Sequence, residues 1–291
     1  MTLDGLRCLC AIVETGSFRR AAERVHRSQP AVSQQVKSLE RELKCVLIER
    51  STSRLTPAGE RFYKRARHIL NETDSLANEI RDFDETQQRP LRLGTSDTTA
   101  LYFLPDVVRT FAMRLPQTRL EIVNRPSEAI AGQVAKGQLD VGIVTLPVER
   151  DGLEAQRLFE QRLVLVTPAG HRLSRRKRLA LSWLRDEPML LLDASTRTGR
   201  LLKAYFDEEG FEPQVVLDSG SFEVIKRYVA QGVGVAFLPQ MTITKSDRGL
   251  AVLHVRGVPS VEIGAITRRG AYQSKAEQVF LEIVSERGNT D

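Results

Sequence analysis

The sequence predicts an α/β protein in which a small helical unit, a long connecting helix and a larger unit of alternating strands and helices follow one another. The chain has 291 residues, more than the roughly 100 to 200 residues of a typical single domain. Residues 1–67 carry 14 Lys and Arg against 7 Asp and Glu, residues 68–90 carry 2 against 6, and residues 91–291 carry 27 against 24. This distribution predicts a basic small domain, an acidic connector and a nearly neutral large domain.

Composition narrows the class of protein. Hydrophobic residues make up 41% of the chain, and no apolar run approaches the roughly 18 residues that span a bilayer. The first residues, MTLDGLRCLC, lack the basic and apolar regions of an export signal, so we expect a cytoplasmic protein without membrane contact. Cys8, Cys10 and Cys45 lack zinc-ligand spacing, and we expect small buried hydrophobic residues rather than a metal site or disulfides.

Two helices are predicted at the N-terminus. The first contains apolar residues at helical spacing and ends at Gly16, where glycine adopts the left-handed conformation that terminates a helix. Ser17 caps the second, FRRAAERVH, in which two alanines permit the close approach of another helix. The apolar residues of the first helix are Leu3, Leu6, Cys10 and Val13.

A third helix begins at Ser28, with Pro30 in its first turn, where the amides have no intrahelical acceptor. Val32, Val36 and Leu39 fall on one face and are predicted to be buried. The opposite face is polar, because it consists of Gln29, Ser33, Gln34, Lys37 and Arg41. Gln and Ser bond to base edges and basic residues reach phosphates, whereas a carboxylate is repelled by the DNA backbone.

Two helices joined by a tight turn, the second with this polar face, predict a helix-turn-helix that reads the major groove. The alternative is a polar face that is merely solvated. The excess of positive charge in residues 1–67 and the alanine-containing segment before the turn favour DNA binding over that alternative.

The segment GSFRRAAERVHRSQPAVSQQVKSLERELKCVLIER, followed by LTPAGERF, resembles the N-terminal domain of LysR-type transcriptional regulators, from about residue 3 to residue 62. The resemblance implies a winged helix-turn-helix, which we assign to residues 1–58. Only STSR separates Arg50 from Leu55, fewer residues than most family members have, so we expect a shortened wing. The expected DNA-binding residues are Ser28, Gln29, Pro30, Ser33, Gln34, Lys37, Arg50, Ser53 and Arg54.

Residues 59–88 are predicted to form one linker helix with a narrow apolar stripe. The stripe has spacings of four and three and consists of Phe62, Ala66, Ile69, Thr73, Leu76, Ile80 and Phe83. Such a stripe is typical of a coiled-coil seam, so we expect pairing with a second copy of the chain. The alternative is a helix that lies on its own C-terminal domain. The resemblance favours pairing and implies a homodimer, with a tetramer as a further assembly, on a two-fold DNA site.

Residues 91–291 alternate between strand-like and helical segments, which predicts parallel sheets with right-handed crossovers. The strand-like segments are LRLGT, LEIVN, LDVGIV, LVLVT, MLLLD, QVVLD, VGVAFLP, LAVLHV and VEIGAITR. GQLDVGIV and GSFEVIKRYVAQGVGVAFLP resemble the two-lobed, periplasmic-binding-protein-like effector-binding domain of the same family. We assign lobe I to about residues 91–166 and 267–291, and lobe II to about residues 167–266.

Four loops with hydroxyl side chains at predicted helix starts indicate a site for an anionic small molecule. They are TSDTT at 95–99, PSE at 126–128, STRTG at 195–199 and GSF at 220–222. Each hydroxyl alone is more typical of a helix cap, so the prediction depends on the four loops facing one cleft. Arg197 and Arg125 are candidate charge partners, or solvated surface residues. The expected effector-binding residues are Thr95, Ser96, Asp97, Thr98, Ser127, Thr145, Thr196, Arg197, Ser221 and Phe222.

Catalytic motifs are missing from the sequence: it has neither G-x-S-x-G nor a glycine-rich phosphate loop, and His171 and His254 have no adjacent nucleophile or metal set. We therefore expect a non-enzymatic protein without a cofactor. The resemblance to LysR-type regulators implies that it binds an interrupted inverted repeat in double-stranded DNA and a small effector, with RNA polymerase as a further partner. The alternatives are an enzyme or binding protein with this bilobed fold and an appended DNA-binding domain, and a general nucleoid-type DNA binder.

Overall fold

The computed structural model describes residues 1–82, 89–176 and 179–288 of the chain. It divides the chain into two compact units, one of Met1–Gln87 with Gly270–Ser274 and one of Gln88–Arg269 with Lys275–Asp291. The boundaries that we assign from the sequence, at residues 58, 88 and 91, stay predictions. No helix in the described part of the chain has the length and apolar character that a membrane crossing requires.

The first unit is mainly helical. Its elements are α1 (Leu3–Thr15), α2 (Phe18–Arg24), α3 (Gln29–Leu43), β1 (Ile48–Glu49), β2 (Arg54–Leu55) and α4 (Pro57–Asp82). The predicted helix ends are confirmed: Gly16 has φ 66° and its N–H donates to Ile12 O, and the Ser17 and Ser28 hydroxyls cap α2 and α3. These caps occupy backbone groups that a helix end would otherwise leave without a partner.

The core of the first unit forms where α1 packs against α2, α3 and α4. Val32, Val36 and Leu39 are buried in it, as the sequence predicts. The stripe predicted for α1 is only partly correct, because Leu3 is exposed, whereas Leu9 and Ile12, which lie outside that stripe, are completely buried. A helix that contacts three neighbours buries a wider face than one narrow stripe.

The wing is a short hairpin, as the sequence predicts. Ile48 pairs with Leu55 and Glu49 with Arg54 in an antiparallel register. Ser53 has φ 55°, a left-handed conformation that reverses the chain before β2. The Thr56 hydroxyl accepts the Gly59 N–H at 3.0 Å at the start of α4, so the end of the wing and the beginning of the linker helix are joined.

The apolar stripe of α4 has two parts. Phe62 and Ala66 pack against the core of the first unit, so the prediction that the intersubunit seam begins at Phe62 is wrong. The reason is that the first turns of α4 cover α1. Farther along, Ile69, Leu76 and Ile80 are exposed, Leu76 by 58% and Ile80 by 63%. The last predicted member, Phe83, lies outside the described residues.

The second unit is built on strands β3 to β11. Their bounds are β3 Leu91–Thr95, β4 Leu120–Asn124, β5 Val141–Thr145, β6 Leu153–Pro168, β7 Pro188–Leu192, β8 Gln214–Ser219, β9 Ala236–Pro239, β10 Leu250–Leu253 and β11 Ser260–Arg268. Seven of these described strands form one sheet in the order β10-β6-β11-β5-β3-β4, with β9 also paired to β6, and β7 pairs with β8. The pairs β3–β4, β3–β5 and β7–β8 are parallel, as predicted.

The pairs that involve β6 and β11 are antiparallel, so the prediction of parallel sheets throughout is wrong. The long β6 explains this: residues 153–162 pair with β11, whereas residues 163–168 pair with β9 and β10. We call the part around β3, β4, β5 and β11 the first lobe, and the part around β7 to β10 the second lobe. Strand β11 begins at Ser260 and so joins the first lobe before residue 267, where we expected that return.

Six α-helices accompany these strands in the described residues of the second unit. They are α5 (Asp97–Tyr102), α6 (Leu104–Arg114), α7 (Ser127–Ala135), α8 (Arg197–Glu208), α9 (Phe222–Ala230) and α10 (Lys275–Gly288). Ile130 of α7 fills the space above Gly94 and Gly142, where an added Cβ would approach it to 2.7 Å. Ile225 and Val229 of α9 pack in a separate cluster of the second lobe. Helices α5, α7, α8 and α9 begin within a few residues of the ends of β3, β4, β7 and β8.

Candidate functional site

The polar face of α3, which comprises Ser28, Gln29, Pro30, Ser33, Gln34 and Lys37, lies opposite the buried Val32, Val36 and Leu39. All six residues are exposed except Ser33, which is half-buried. The side chains of Gln29, Gln34 and Lys37 form no hydrogen bond or ion pair within the described part of the chain. A helix with such a face can enter the major groove and offer amides to base edges and a cation to phosphates.

Arg50 lies between the wing and α3. Its guanidinium donates to the Ser33 hydroxyl at 2.9 Å and to the Glu40 carboxylate at 3.0 Å, and it lies over the Phe18 ring. Glu40 also accepts the N–H groups of Leu47 and Ile48, at 2.9 and 3.2 Å. The structure therefore brings Arg50 and Ser33 together and gives both a positioning contact. Their contact with DNA stays a prediction.

The remaining predicted wing residues, Ser53 and Arg54, lie in the hairpin. Ser53 is half-buried, and Arg54 is exposed at the beginning of β2. The Arg54 N–H donates to the Thr52 hydroxyl at 3.3 Å, which shapes the turn. The Arg54 guanidinium is thus a surface cation on the same unit as the polar face of α3, and its contact with a phosphate is also a prediction.

Sequence reasoning missed two acids that organise the first unit. Glu40 joins α3 to the wing, and Glu14 is a buried carboxylate that pairs with Arg24 at 2.7 Å and Arg67 at 3.1 Å. Burial and the Glu14 charge raise the pKa of Tyr63 to about 12. Glu40 is the first acid after Ser28 in α3, and its position at the edge of the buried face was the available signal. Glu14 gives no comparable sequence signal.

A cavity of about 320 Å³ lies between the two lobes of the second unit. Its lining includes nine of the ten predicted effector-binding residues, which are Ser96, Asp97, Thr98, Ser127, Thr145, Thr196, Arg197, Ser221 and Phe222. The lining also contains polar and apolar side chains outside that predicted set, namely Asn124, Arg125, Glu128, Gln161, Leu192 and Ile263. The four hydroxyl-bearing loops therefore face one cleft.

Thr95 is not in the cavity lining, so its assignment to the site is wrong. It is the last residue of β3, it is completely buried, and its hydroxyl has no hydrogen-bond partner among the described residues. Successive side chains of a strand point to opposite sides. Only the backbone of Thr95 supports the site, because its carbonyl accepts the Arg125 N–H at 3.1 Å.

Three of the cavity hydroxyls already have structural partners. Ser96 accepts the Thr99 N–H at 3.4 Å, and Thr196 accepts the Gly199 N–H at 3.0 Å, so both are helix caps. Ser127 accepts the Thr145 N–H at 3.1 Å and holds α7 against β5. In contrast, Pro126 and Ser221, the residues that precede α7 and α9, provide no side-chain cap. The first backbone N–H groups of these two helices are therefore the donors that an anion in the cavity can use.

The charges of the cavity are paired across the two lobes. Arg197, at the start of α8, donates to Glu128 of α7 at 3.0 Å, and Arg200 approaches the same carboxylate at 3.8 Å. Arg125 is exposed and donates to the Asn124 carbonyl at 2.7 Å. In the described residues Asp97 makes no ion pair. The lining thus carries two acids and two arginines, and among the described residues Glu128 and Arg197 are the two that form an ion pair with each other.

A second polar contact links the lobes near the cavity. The Tyr102 hydroxyl donates to Glu223 at 2.5 Å, and Lys226 donates to the Tyr102 hydroxyl at 2.6 Å and to the Thr242 carbonyl at 2.8 Å. Burial and the bond to Glu223 raise the pKa of Tyr102. Burial lowers the pKa of Lys226, but its bonds to Tyr102 and Glu223 outweigh burial, so the net direction is upward. No local sequence pattern predicts this contact, because Tyr102 and Glu223 are far apart in the chain.

A buried ionic cluster supports the first lobe. Arg89 donates to Asp140 at 2.9 Å and to Glu277 at 2.8 Å, and Arg92 also pairs with Asp140. Burial and the Asp140 charge raise the pKa of Glu277 to about 7. The pKa of Asp140 is lowered, because bonds from Arg92 and the Arg89 charge outweigh burial. Over residues 1–82, 89–176 and 179–288, no three His, Cys, Asp or Glu side chains are grouped as metal ligands.

A helix-turn-helix with a wing, followed by a two-lobed α/β domain with a cavity between its lobes, defines a DNA-binding regulator with a small-molecule-binding domain. Comparison with protein families gives the same division. Residues 3–60 match the bacterial regulatory helix-turn-helix protein family of lysR type, and residues 84–289 match the LysR substrate binding domain. The chain therefore belongs to the LysR family of transcriptional regulators.

Individual relatives agree with this assignment along the whole chain. A probable RuBisCO transcriptional regulator of Cyanidioschyzon merolae is 31% identical and matches 97% of this chain and 96% of its own length. The uncharacterized HTH-type transcriptional regulator YcgK of Bacillus subtilis is 28% identical over 98% of this chain and 94% of its own. A solved structure of a full-length OxyR variant from Pseudomonas aeruginosa has a TM-score of 0.70, 27% identity and coverage of 99% and 95%.

Proposed function

We propose that this LysR-type regulator is not an enzyme, that it binds a specific operator through the polar face of α3 and the wing, and that a small anionic effector in the interlobe cavity changes that binding. The observation that carries the proposal is the cavity itself, where the starts of α7 and α9 lack side-chain caps and lie beside Arg125 and Arg197. Uncapped helix starts and guanidinium groups both favour an anion.

The size of the cavity supports a small organic or inorganic ligand. Its volume of about 320 Å³ lies at the lower end of the roughly 300 to 1,000 Å³ range of ligand pockets. Leu192, Phe222 and Ile263 provide apolar surface, and Gln161 provides an amide. An effector with one anionic end and a short uncharged body fits this lining.

The operator side of the proposal follows from the first unit. Gln29 and Gln34 offer donors and acceptors at the groove, whereas Lys37 and Arg54 are cations for phosphates. The exposed Ile69, Leu76 and Ile80 of α4 support a homodimer that presents two such faces to an interrupted inverted repeat. Tetramer formation, contact with RNA polymerase and a cytoplasmic location are further parts of the proposal, supported by family membership.

A thermal-shift screen with sulfate, phosphate and small mono- and dicarboxylates tests the effector. An anion present at about 100 times its dissociation constant is expected to add roughly 2.7 kcal/mol to the free energy of unfolding. Fluorescence anisotropy with an operator fragment then measures the affinity for DNA with and without each stabilising anion. Arg119→Gln, on the surface outside the cavity, is the control for a nonspecific charge effect.

The expected result is a change of operator affinity that Arg125→Gln weakens and Arg119→Gln does not. A stabilising anion that leaves operator affinity unchanged contradicts regulation through the cavity. Product analysis after incubation tests the alternative function of a bilobed enzyme, because conversion of the bound molecule is incompatible with a purely regulatory ligand.

A further inference from the structure

A carboxylate of the protein itself occupies part of the cavity. Glu128 is the second residue of α7 and lies on the first lobe, and its carboxylate contacts Arg197 at 3.0 Å and Arg200 at 3.8 Å on the second lobe. All of the contact groups come from the beginnings of α7 and α8, where the helix dipoles are positive. The site that attracts an anion is therefore already in contact with one.

We propose that Glu128 is an internal competitor of the effector, which holds Arg197 until an anion displaces it. This inference rests on the proposed anionic effector and adds the regulation of its site. It makes Glu128 a determinant of specificity, because a ligand has to bind more strongly than a carboxylate that is attached to the same chain. The attachment keeps Glu128 at a high effective concentration beside the guanidinium.

Arg197 is the group over which the effector and Glu128 compete. Among the other predicted contacts, Ser96, Ser127 and Thr196 already have backbone partners. Arg125 is exposed and bonds to a neighbouring carbonyl. Arg197 is more enclosed, with 25% of its side chain exposed, so its charge is screened less by water than that of Arg125.

The contact between Glu128 and Arg197 uses only part of the guanidinium. Glu128 bonds to Nη2, whereas the neighbouring Nε is buried and has no hydrogen-bond partner in the described part of the chain. A guanidinium binds most strongly when two of its N–H groups meet two oxygens in parallel. An oxyanion that reaches both Nε and Nη2 makes the second bond that Glu128 lacks, which gives it an advantage over the internal carboxylate.

Displacement of Glu128 also changes how the lobes are joined. The ion pair links α7 of the first lobe directly to α8 of the second lobe. When an anion takes over Arg197, that direct link is replaced by contacts through the ligand. A ligand acts on a conformational equilibrium only through contacts that differ between the states, and the exchange of Glu128 for the effector is such a difference.

Titration of the full-length chain with sulfate, at constant ionic strength held with chloride, tests the competition by calorimetry. Glu128→Gln keeps the shape of the side chain and removes its charge, and we expect this variant to bind sulfate about tenfold more tightly than the wild type. The double variant Glu128→Gln with Arg197→Gln is expected to lose that gain. Glu282→Gln is the matched control, because Glu282 is similarly exposed and pairs with Arg114 outside the cavity.

Equal sulfate affinity of the wild type and Glu128→Gln overturns the proposal, and so does a gain that persists without Arg197. Absence of sulfate binding in every variant overturns it as well, because removal of the competitor should expose the site. Thermal unfolding of each variant without sulfate detects a folding defect. Glu128→Asp keeps the negative charge but shortens the reach of the carboxylate, so it tests the competition with a second variant. If Glu128→Gln gains affinity but no anion alters operator binding, the competition stands and the proposed function fails.

Discussion

The polar face of α3 and the interlobe cavity contain similar side chains in different states. On α3, Gln29, Gln34 and Lys37 are exposed and bond to nothing else in the described chain. In the cavity, the hydroxyls of Ser96 and Thr196 cap helices and Arg197 is paired with Glu128. The surface of α3 therefore gains contacts when it binds a partner, whereas the cavity exchanges one set of contacts for another.

This difference has an energetic consequence. An exposed amide or ammonium gives up only water when it meets DNA, so affinity at α3 depends on the number of contacts and on salt. A paired group in the cavity gives up a protein contact, so affinity there depends on the difference between the ligand and the group that it replaces. The first kind of site is typical of a preformed reading surface, and the second is typical of a switch.

The first prediction tests whether the polar face of a single α3 can bind DNA without a second subunit. Ile69→Glu with Ile80→Glu places two carboxylates on the exposed stripe of α4, where pairing would bury them. We expect monomers by light scattering and a loss of operator affinity of about 100-fold or more, because two linked half-site contacts become one. His68→Glu adds a carboxylate at an exposed position beside the stripe and is expected to leave the dimer intact. An unchanged dimer in the double variant places the interface elsewhere.

A division of roles on α3 is the second test. Gln34→Ala is expected to cost about 1 to 3 kcal/mol at one base step and to relax the preference for that base. Lys37→Ala is expected to weaken binding to all sequences and to reduce the salt dependence, because a phosphate contact is lost. Anisotropy titrations with operator and random DNA at several salt concentrations measure both effects. Equal losses on the two DNAs for both variants contradict the assignment.

The third prediction concerns the first lobe, which has to keep its shape for the cavity to bind a ligand. Glu277 makes the stability of this lobe sensitive to pH. Its pKa is raised from the ordinary 4.5 to about 7, so the folded state holds a proton that the unfolded state releases. The free energy of unfolding is therefore expected to fall as the pH rises from about 4.5 to 7, by at most about 1.4 kcal/mol per pH unit.

Glu277→Gln should remove that part of the pH dependence, which urea denaturation at pH 5, 6, 7 and 8 measures. Glu282→Gln, on the exposed side of the same helix, is the control. Two nearby positive charges, Arg89 and Arg268, act against the rise in the pKa of Glu277. An identical pH profile of the wild type and Glu277→Gln means that these arginines keep the carboxylate charged in the folded state.

Local sequence pattern was sufficient to predict the structure of α3, but it was insufficient to predict all of the contacts in the cavity. The caps at Ser17 and Ser28 and the buried Val32, Val36 and Leu39 depend on residues within a few turns of one helix, so the sequence predicts them. The hydroxyls of the cavity loops were predicted at the correct place, because parallel strands bring their carboxyl ends together. The caps formed by Ser96 and Thr196 are local and agree with the role that the sequence suggests for a single hydroxyl. The contacts of Ser127 and Arg197 were not predictable, because their partners come from other elements of the fold.

The errors in the fold have the same origin. Thr95 was assigned to the site with its neighbours, but the alternation of side chains at the end of β3 turns it inward. Residues 153–162, in which polar and apolar residues are mixed, gave no strand signal, although they form ten of the sixteen residues of β6. Phe62 and Ala66 fit a coiled-coil spacing and yet pack on α1, because a spacing of four and three indicates one apolar face and not the surface that covers it.

The smallest expected effect concerns the cysteines, and it tests whether the switch is a bound ligand. Residues 46–291 contain no cysteine, so thiol oxidation cannot take place in the cavity. In the first unit Cys8 and Cys10 are buried, and burial raises the pKa of both thiols, that of Cys10 to about 12. A thiol that stays protonated is a poor nucleophile and reacts slowly with peroxide.

Replacement of Cys8, Cys10 and Cys45 by alanine is therefore expected to leave operator affinity and its response to anions within about twofold of the wild type, well under 1 kcal/mol. Anisotropy measured with and without peroxide tests this expectation. If a cysteine-free chain still binds its operator but has lost the response to anions, the switch is not a reversibly bound ligand alone. The cysteines of the first unit then take part in sensing.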